Sequence, residues 1–438
     1  MSSACAPCPA KAPATAGGCR RRTGVSLLLL LASATASAQY LLVPMDDAQT
    51  DHLRAYGLTY WCLANPEGGT SEWLLNYRGG AFLLPDAASV RARATQLGVT
   101  VEPLGDAGRD QIHATIADQN MERIVLEKAP RVAVYIPPTA EPWDDAVTLA
   151  LEYADIPYDK MYDEDILRGK LAEYEWLHTH HEDFTGQYGK FWATFHQEPW
   201  YQQQVKAAKE DARRLGYKSV QELKGAVAAQ IAQWVAGGGF LFAMCSACDS
   251  LDVALAAAGV DIIPPEIDGT PIDPNAQSKL DYDVTFCFKN LKLVTDAYQT
   301  EIADIDVTPP EADFVGTGAT FELFEFSAKQ DPVVTMLTQC HTRSIPDFLG
   351  LTTAFDRARL KDSVVVMGER PGTNMVKYVH VDYGDGTATY LGGHDPEDYA
   401  HVVGEEPTDL SLHKHSPGYR LILNNILFPA AKPRERKT

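Results

Sequence analysis

His178-Thr179-His180-His181-Glu182-Asp183 is the densest run of proton-transfer and metal-ligand side chains in this sequence. If the segment YEWLHTH is a strand, His178 and His180 share one of its faces, because side chains alternate along a strand. Two or three imidazoles with the carboxylate of Glu182 make a donor set for zinc. The same groups would also serve as substrate contacts, or as a hydrogen-bonded network that holds a loop. A second stretch, GGGFLFAMCSACDS (237–250), places Cys245 where an apolar run stops and a helical pattern starts. A helix N-terminus lowers a thiol pKa and offers N–H groups, here near Ser246, to an oxyanion. Cys245-x-x-Cys248 also has the form of a redox pair, and simple packing is a third reading. A third stretch, GGHDPE (392–397), offers His394 as base and Glu397 as the acid that orients it.

These groups need a scaffold that brings them to one edge. RVAVYIPP (131–138) reads as a strand covered on both faces. Trp143-Asp144-Asp145 opens a helix through Ala154, with acids where the helix dipole favours them. A strand and turn follow in IPYDKMYDEDIL, then the strand YEWLHTH. Helices are predicted over roughly 199–214 and 219–236, the second with Ser219 and Glu222 in capping-box spacing. FLFAM is a strand, and DSLDVALAAAG a helix ending at Gly259. This alternation predicts an α/β fold with a mostly parallel sheet and helices on both faces. In such a sheet the strand carboxyl ends form one rim, where residues 178–183, 245 and 394 would meet.

Around that core, residues 39–128 read as a small N-terminal α+β region: the strand YLLVPM, the hairpin SEWLLNYRGGAFLLPD, the helix ASVRARATQLG and the strand VTVEPL. Residues 280–390 read as β-rich, with strands in DVTFCF, LKLVTD, TFELFEF, PVVTMLTQ and SVVVMGE and a hairpin in VKYVHVDYGDGTATYLGG. A basic tail covers 431–438. His413 and His415 are expected on a surface loop, and Cys340-His341 in packing.

Residues 1–38 read as a secretory signal. Arg20, Arg21 and Arg22 precede the apolar run Val25 to Leu31, and Ala36-Ser37-Ala38 has the small-x-small form of a cleavage site. The mature chain is expected to start at Gln39 and to reside in the periplasm or outside the cell. No other apolar run approaches the roughly 20 residues of a membrane span. The formal charge of −21 repels phosphate backbones, which argues against nucleic acid as a partner. Removal of the leader leaves Cys62, Cys245, Cys248, Cys287 and Cys340, an odd number, so at least one thiol is unpaired within the chain.

The strand–Cys245–helix corner with the late His394-Asp-Pro-Glu397 resembles the class I glutamine amidotransferase-like family, over roughly residues 129–425. The resemblance implies a flavodoxin-like α/β domain, taken here as 129–430, with Cys245 as nucleophile, His394 as base and Glu397 as the orienting acid. Ser246 and Gly393 would then lie at the substrate. Two departures stand out. Ala243 and Ala247 occupy the usual glycine positions, and one extra residue separates His394 from Glu397. Longer stretches, including EWLLNYRGG, HHEDFTGQYG, GGHDPEDY and SPGYRLILNNILFPAAK, resemble exported bacterial proteins labelled "asparagine synthetase B". That label implies glutamine-dependent, ATP-driven amidation. The chain has neither the N-terminal cysteine nor the Ser-Gly-Gly-x-Asp-Ser loop of that enzyme. The resulting expectation is a Cys-His-Glu thiol hydrolase acting on an amide C–N bond. The alternatives are a noncatalytic module for a glycan, peptide or small molecule, and a metal-dependent site at His178, His180, His181 and Glu182 with zinc as the cofactor.

Overall fold

A computed structural model describes residues 39–67, 69–139, 142–307, 318–399 and 402–431; the expected leader and residues 432–438 of the basic tail lie outside them. The N-terminal region builds a five-stranded antiparallel sheet, in the order β4-β1-β3-β2-β5. Its strands are β1 (Tyr40–Val43), β2 (Ser71–Leu75), β3 (Ala81–Pro85), β4 (Glu102–Leu104) and β5 (Glu122–Leu126). Beside them run helices α1 (His52–Ala64), α2 (Ala88–Leu97) and α3 (Asp106–Asp118). The hairpin and α2 follow the sequence pattern. The pattern left α1 unassigned, although Asp51 caps it by accepting from the Arg54 N–H at 3.0 Å.

The remaining strands form one ten-stranded sheet: β6 (Val132–Tyr135), β7 (Asp159–Met161), β8 (Trp176–Thr179), β9 (Phe240–Met244), β10 (Thr320–Leu323), β11 (Ser344–Pro346), β12 (Phe355–Asp356), β13 (Val365–Glu369), β14 (Met375–Tyr383) and β15 (Gly386–Leu391). Its order is β11-β10-β13-β14-β15-β9-β8-β6-β7, with β12 on β14. Helices α4 (Ala146–Tyr153), α5 (Pro199–Arg214), α6 (Val220–Ala236), α7 (Ala247–Ala256), α8 (Pro332–Leu337) and α9 (Pro417–Leu427) accompany it.

This sheet corrects the predicted fold class. Parallel pairing is confined to β7-β6-β8-β9-β15, and every other pairing in the described residues is antiparallel. The architecture is a mixed sheet plus a separate antiparallel one, not the mostly parallel, flavodoxin-like sheet of the amidotransferase-like family. The reason lies in the connections. A parallel neighbour needs a crossover of a dozen or more residues, usually a helix. Between β10 and β15 the one α-helix among the described residues is α8, six residues long, so the chain returns by turns and its strands alternate in direction.

Smaller expectations shift too. DVTFCF and LKLVTD make only isolated bridges, Phe288 with Leu360 and Leu293 with Ala303. PVVTMLTQ coils into α8, with Pro332 in its first turn, where a fixed φ suits a helix start.

Register sets the chemistry-bearing face. Val134, His178 and Phe242 stand side by side across β6, β8 and β9. They share that face with Trp176 and Met244, packed in a core with α1, α4 and α9. The alternate residues Ala133, Leu177, Leu241 and Ala243 face a second core formed with α6 and α7. Burying side chains of this size contributes about 1.5–3 kcal/mol each. A one-residue slip of β8 would exchange the two faces, set the wrong side chains in each core and turn His178 away from the site. Among the described residues no helix is long and apolar enough to cross a membrane.

Candidate functional site

The carboxyl ends of β8, β9 and β15 lie together on one rim, as predicted. Beyond β8 the chain carries His180, whose carbonyl accepts from the Ala247 N–H at 2.9 Å. Beyond β9, the Cys245 N–H donates to the Gly393 carbonyl at 3.2 Å, and Ser246 Oγ donates to the His181 carbonyl at 2.8 Å. Beyond β15, the His394 ring lies tilted against His180 with ring centroids 4.5 Å apart. The three stretches around His178–His181, Cys245 and His394 meet here.

Asp145 joins them. It caps α4, and its Oδ1 accepts from the N–H groups of Val147 at 2.8 Å and Thr148 at 3.0 Å. The same oxygen lies 3.5 Å from His178 Nε2 and 3.3 Å from His180 Nδ1, and those two nitrogens are 3.4 Å apart. On its other side the His178 ring sends Nδ1 to the Phe242 carbonyl at 3.0 Å. A hydrogen bond there makes Nδ1 the donor and leaves the Nε2 lone pair facing the triangle. Both histidines are fully buried. Burial alone would raise the Asp145 carboxyl; the two imidazoles outweigh it and hold the group well below the usual carboxylate range. Burial pushes His180 down to about 4 against the pull of Asp145, so its ring is neutral at pH 7 and suited to ligation.

Two groups of donor atoms here each converge within 4.8 Å: Asp145, His178 and His180, and His180, His181 and His394. The histidine cluster can therefore hold a metal ion. Its membership differs from the predicted set. Asp145 and His394 enter. Glu182 is turned to loop support, with Oε2 accepting from the His180 N–H at 2.9 Å and Oε1 4.0 Å from His181 Nε2. Asp183 also holds the loop, accepting from the N–H groups of Thr185 and Gly189. Asp145 escaped sequence reading because it registers as a helix start. The signal available was an N-cap acid following the strand that pairs with β8.

The predicted thiol site is partly assembled. Cys245 has φ +51°, a left-handed backbone at the strand–helix corner that a non-glycine residue rarely adopts. Its thiol is buried and pushed up to about 12 by that burial, against the N–H groups of Ser246 and Leu351, which favour the thiolate. It is a neutral thiol at pH 7. Glu397, the expected orienting acid, instead meets His413 Nδ1 at 2.9 Å. Asp395, next to His394, accepts from Glu397 N–H at 2.8 Å and Tyr419 O–H at 2.7 Å. Gly393 contributes backbone alone, its N–H donating to Thr352 O at 3.1 Å. Cys245 and Cys248 are not bonded to each other. The geometry thus offers a donor cluster that could hold a metal ion, with a buried thiol beside it.

No family model matches the chain. No curated protein matches it either. Among solved structures, two cytoplasmic proteins from Salmonella typhimurium are similar at 12% identity, each covering 69% of this chain and 100% of its own, with TM-scores of 0.34 and 0.35. A GH42 β-galactosidase from G. stearothermophilus is similar at 13% identity over 61% of this chain and 28% of its own, with a TM-score of 0.28. Likeness this weak carries no inference about fold or function, and the chemistry of the rim stands on its own geometry.

Proposed function

We propose that the chain is a metal-dependent hydrolase in which Asp145, His178 and His180 bind Zn²⁺. One observation carries the reading: Asp145 Oδ1, His178 Nε2 and His180 Nδ1 lie 3.3–3.5 Å from one another. Ligands on a tetrahedral zinc with bonds of about 2.0–2.1 Å stand roughly 3.3 Å apart, so these atoms already form one face of such a site. Three protein ligands leave a fourth position for water, whose pKa the ion lowers to about 7. Burial of both imidazoles keeps bulk water away and strengthens every charge interaction at the ion. An amide is the substrate class we assign, because the N–H groups of Ser246 and Leu351 at the neighbouring corner are of the kind that hold an acyl oxyanion.

A second reading keeps Cys245 as the nucleophile with His394 as its base. The strained φ of Cys245 favours it, since such strain concentrates at functional corners. Metal analysis of purified protein, followed by amide hydrolysis with a chelator and zinc re-addition, separates the two. The metal reading expects bound zinc, activity lost on chelation and restored by Zn²⁺, and activity largely retained in Cys245→Ala. A protein that purifies without zinc and shows no zinc-dependent shift in melting removes it; chelator-resistant turnover lost in Cys245→Ala establishes the thiol.

A further inference from the structure

We infer that the cluster holds a second divalent cation, on the far nitrogen of His180, so that one imidazole bridges a two-ion centre. The inference rests on the zinc reading above and extends it. His180 spends Nδ1 on Asp145 and His178. Its Nε2, on the opposite edge of the ring, has no hydrogen-bond partner among the described residues, although the residue is fully buried. Buried polar atoms are nearly always satisfied, so a lone pair left over in this position points to a ligand. Beside this ring lies a donor set: His180, His181 and His394 bring one nitrogen each to within 4.8 Å of one another.

The ring arrangement fits one ion. Centroid separations are 4.5 Å for His180 and His394, 5.2 Å for His180 and His181, and 6.0 Å for His181 and His394. Three imidazoles on a tetrahedral ion with Zn–N bonds of about 2.0–2.1 Å stand roughly 5 Å apart, centroid to centroid. The backbone behind each ring is pinned. Ala247 N–H holds the His180 carbonyl, Ser246 Oγ holds the His181 carbonyl, and the His394 N–H donates to Leu349 O at 2.9 Å. Trp143 closes the outer side, edge-on to His181 at 5.3 Å.

The two positions differ in charge. The inner ion has a carboxylate, whereas the outer ion has two neutral imidazoles and only a share in the imidazolate of His180, so it keeps more of its positive charge. It is the stronger Lewis acid, and His181, with a side chain 10% exposed, gives it the way to solvent. The outer ion is therefore the one that polarises the substrate carbonyl. Filling both positions displaces the remaining ring proton of His180 to solvent; no other bond changes. Ions on the two nitrogens of one imidazole sit roughly 6 Å apart, too far to share a single oxygen in the manner of sites at about 3.5–4 Å.

The test is metal stoichiometry on the full chain. Protein loaded with Zn²⁺ and dialysed against metal-free buffer is measured by mass spectrometry of the metal, with affinities from chelator competition. Two zinc ions per chain are expected in the parent, falling to one in His394→Gln and, as a milder second variant, in His181→Gln. Asp145→Asn should also fall to one, from the other side. Circular dichroism confirms that each variant is folded. One ion in the parent that survives His394→Gln and His181→Gln overturns the second ion and leaves the first. One ion that survives Asp145→Asn but not His394→Gln overturns the inner site and the bridge together. No ion at all overturns both readings.

Discussion

His178, His181 and His394 gather around His180 beside the Asp145 carboxylate, whereas His52, His341 and His415 gather beside the Arg420 guanidinium. The second cluster is as dense as the first. His52 and His341 stack at 4.6 Å with an interplanar angle of 10°, and His415 Nδ1 meets His52 Nδ1 at 3.1 Å. Yet its charge is inverted. The buried Arg420 guanidinium donates to Met45 O at 3.0 Å, Gly79 O at 2.7 Å and His341 Nδ1 at 3.0 Å. Burial, reinforced by Arg420, depresses His52 to about 3 and His341 to about 4. A metal ion there would face a fixed cation, and the lone pair of His341 is already spent. Imidazole count does not make a metal centre; the sign of the neighbouring charge and the presence of an uncommitted lone pair do.

The contrast can be broken or sharpened by substitution. The largest effect is expected for His180→Ala, which removes the residue common to both donor groups. Zinc affinity should fall by more than the roughly 10–100-fold typical of second-layer changes, while His52→Ala leaves zinc content unchanged. Equal loss in both, by competition titration, would erase the distinction. Arg420→Ala should behave in the opposite way: about 3–5 kcal/mol of stability lost in denaturant unfolding, because buried carbonyls lose their donor, with zinc stoichiometry preserved. Asp145→Asn is subtler. Asparagine still caps α4 through Val147 and Thr148, so helix content should hold while the inner zinc is lost on dialysis.

Gly350 tests the support of the outer ligand. It has φ +140°, and a Cβ there would lie 2.6 Å from the His394 backbone nitrogen. Gly350→Ala should cost about 1–3 kcal/mol and weaken zinc uptake through His394 more than through Asp145, read in the two steps of a zinc titration. The smallest effect concerns pH. His52 and His341 are neutral in the folded chain and titrate near 6.5 when unfolded. The stability they contribute is whole above about pH 6.5 and is lost as pH falls towards 4 and then 3. The melting temperature should decline across that window, less steeply in His341→Gln.

Much of the site was legible because it depends on short-range pattern. The alternation of His178 and His180 put both on one strand face, and strand ends put Cys245 and His394 on their rim. Asp145 was not legible as a ligand, since its position opposite those rings follows from the β6–β8 register and from the start of α4. Glu397 misled for a related reason: spacing placed it near His394, but the turn after Asp395 carries it to His413. The sheet was misread where apolar runs alone were taken as evidence. Residues 280–307 have strand composition without a partner strand, and PVVTMLTQ has β-branched residues behind a proline that starts a helix.

The strand β15 sets the order of assembly. It is the seam at which the sheet turns from parallel to antiparallel, and it alone delivers His394. A ribosome making this chain finishes Asp145, His178 and His180 long before residue 394 emerges, and β15 must then return to a β9 synthesised far earlier. Closing so long a loop is slow. Until it closes, the nascent protein exposes the side chains of the proposed inner site and a thiol corner with no roof. The inner site is thus expected to fill first, and the finished centre to depend on one late strand finding its place.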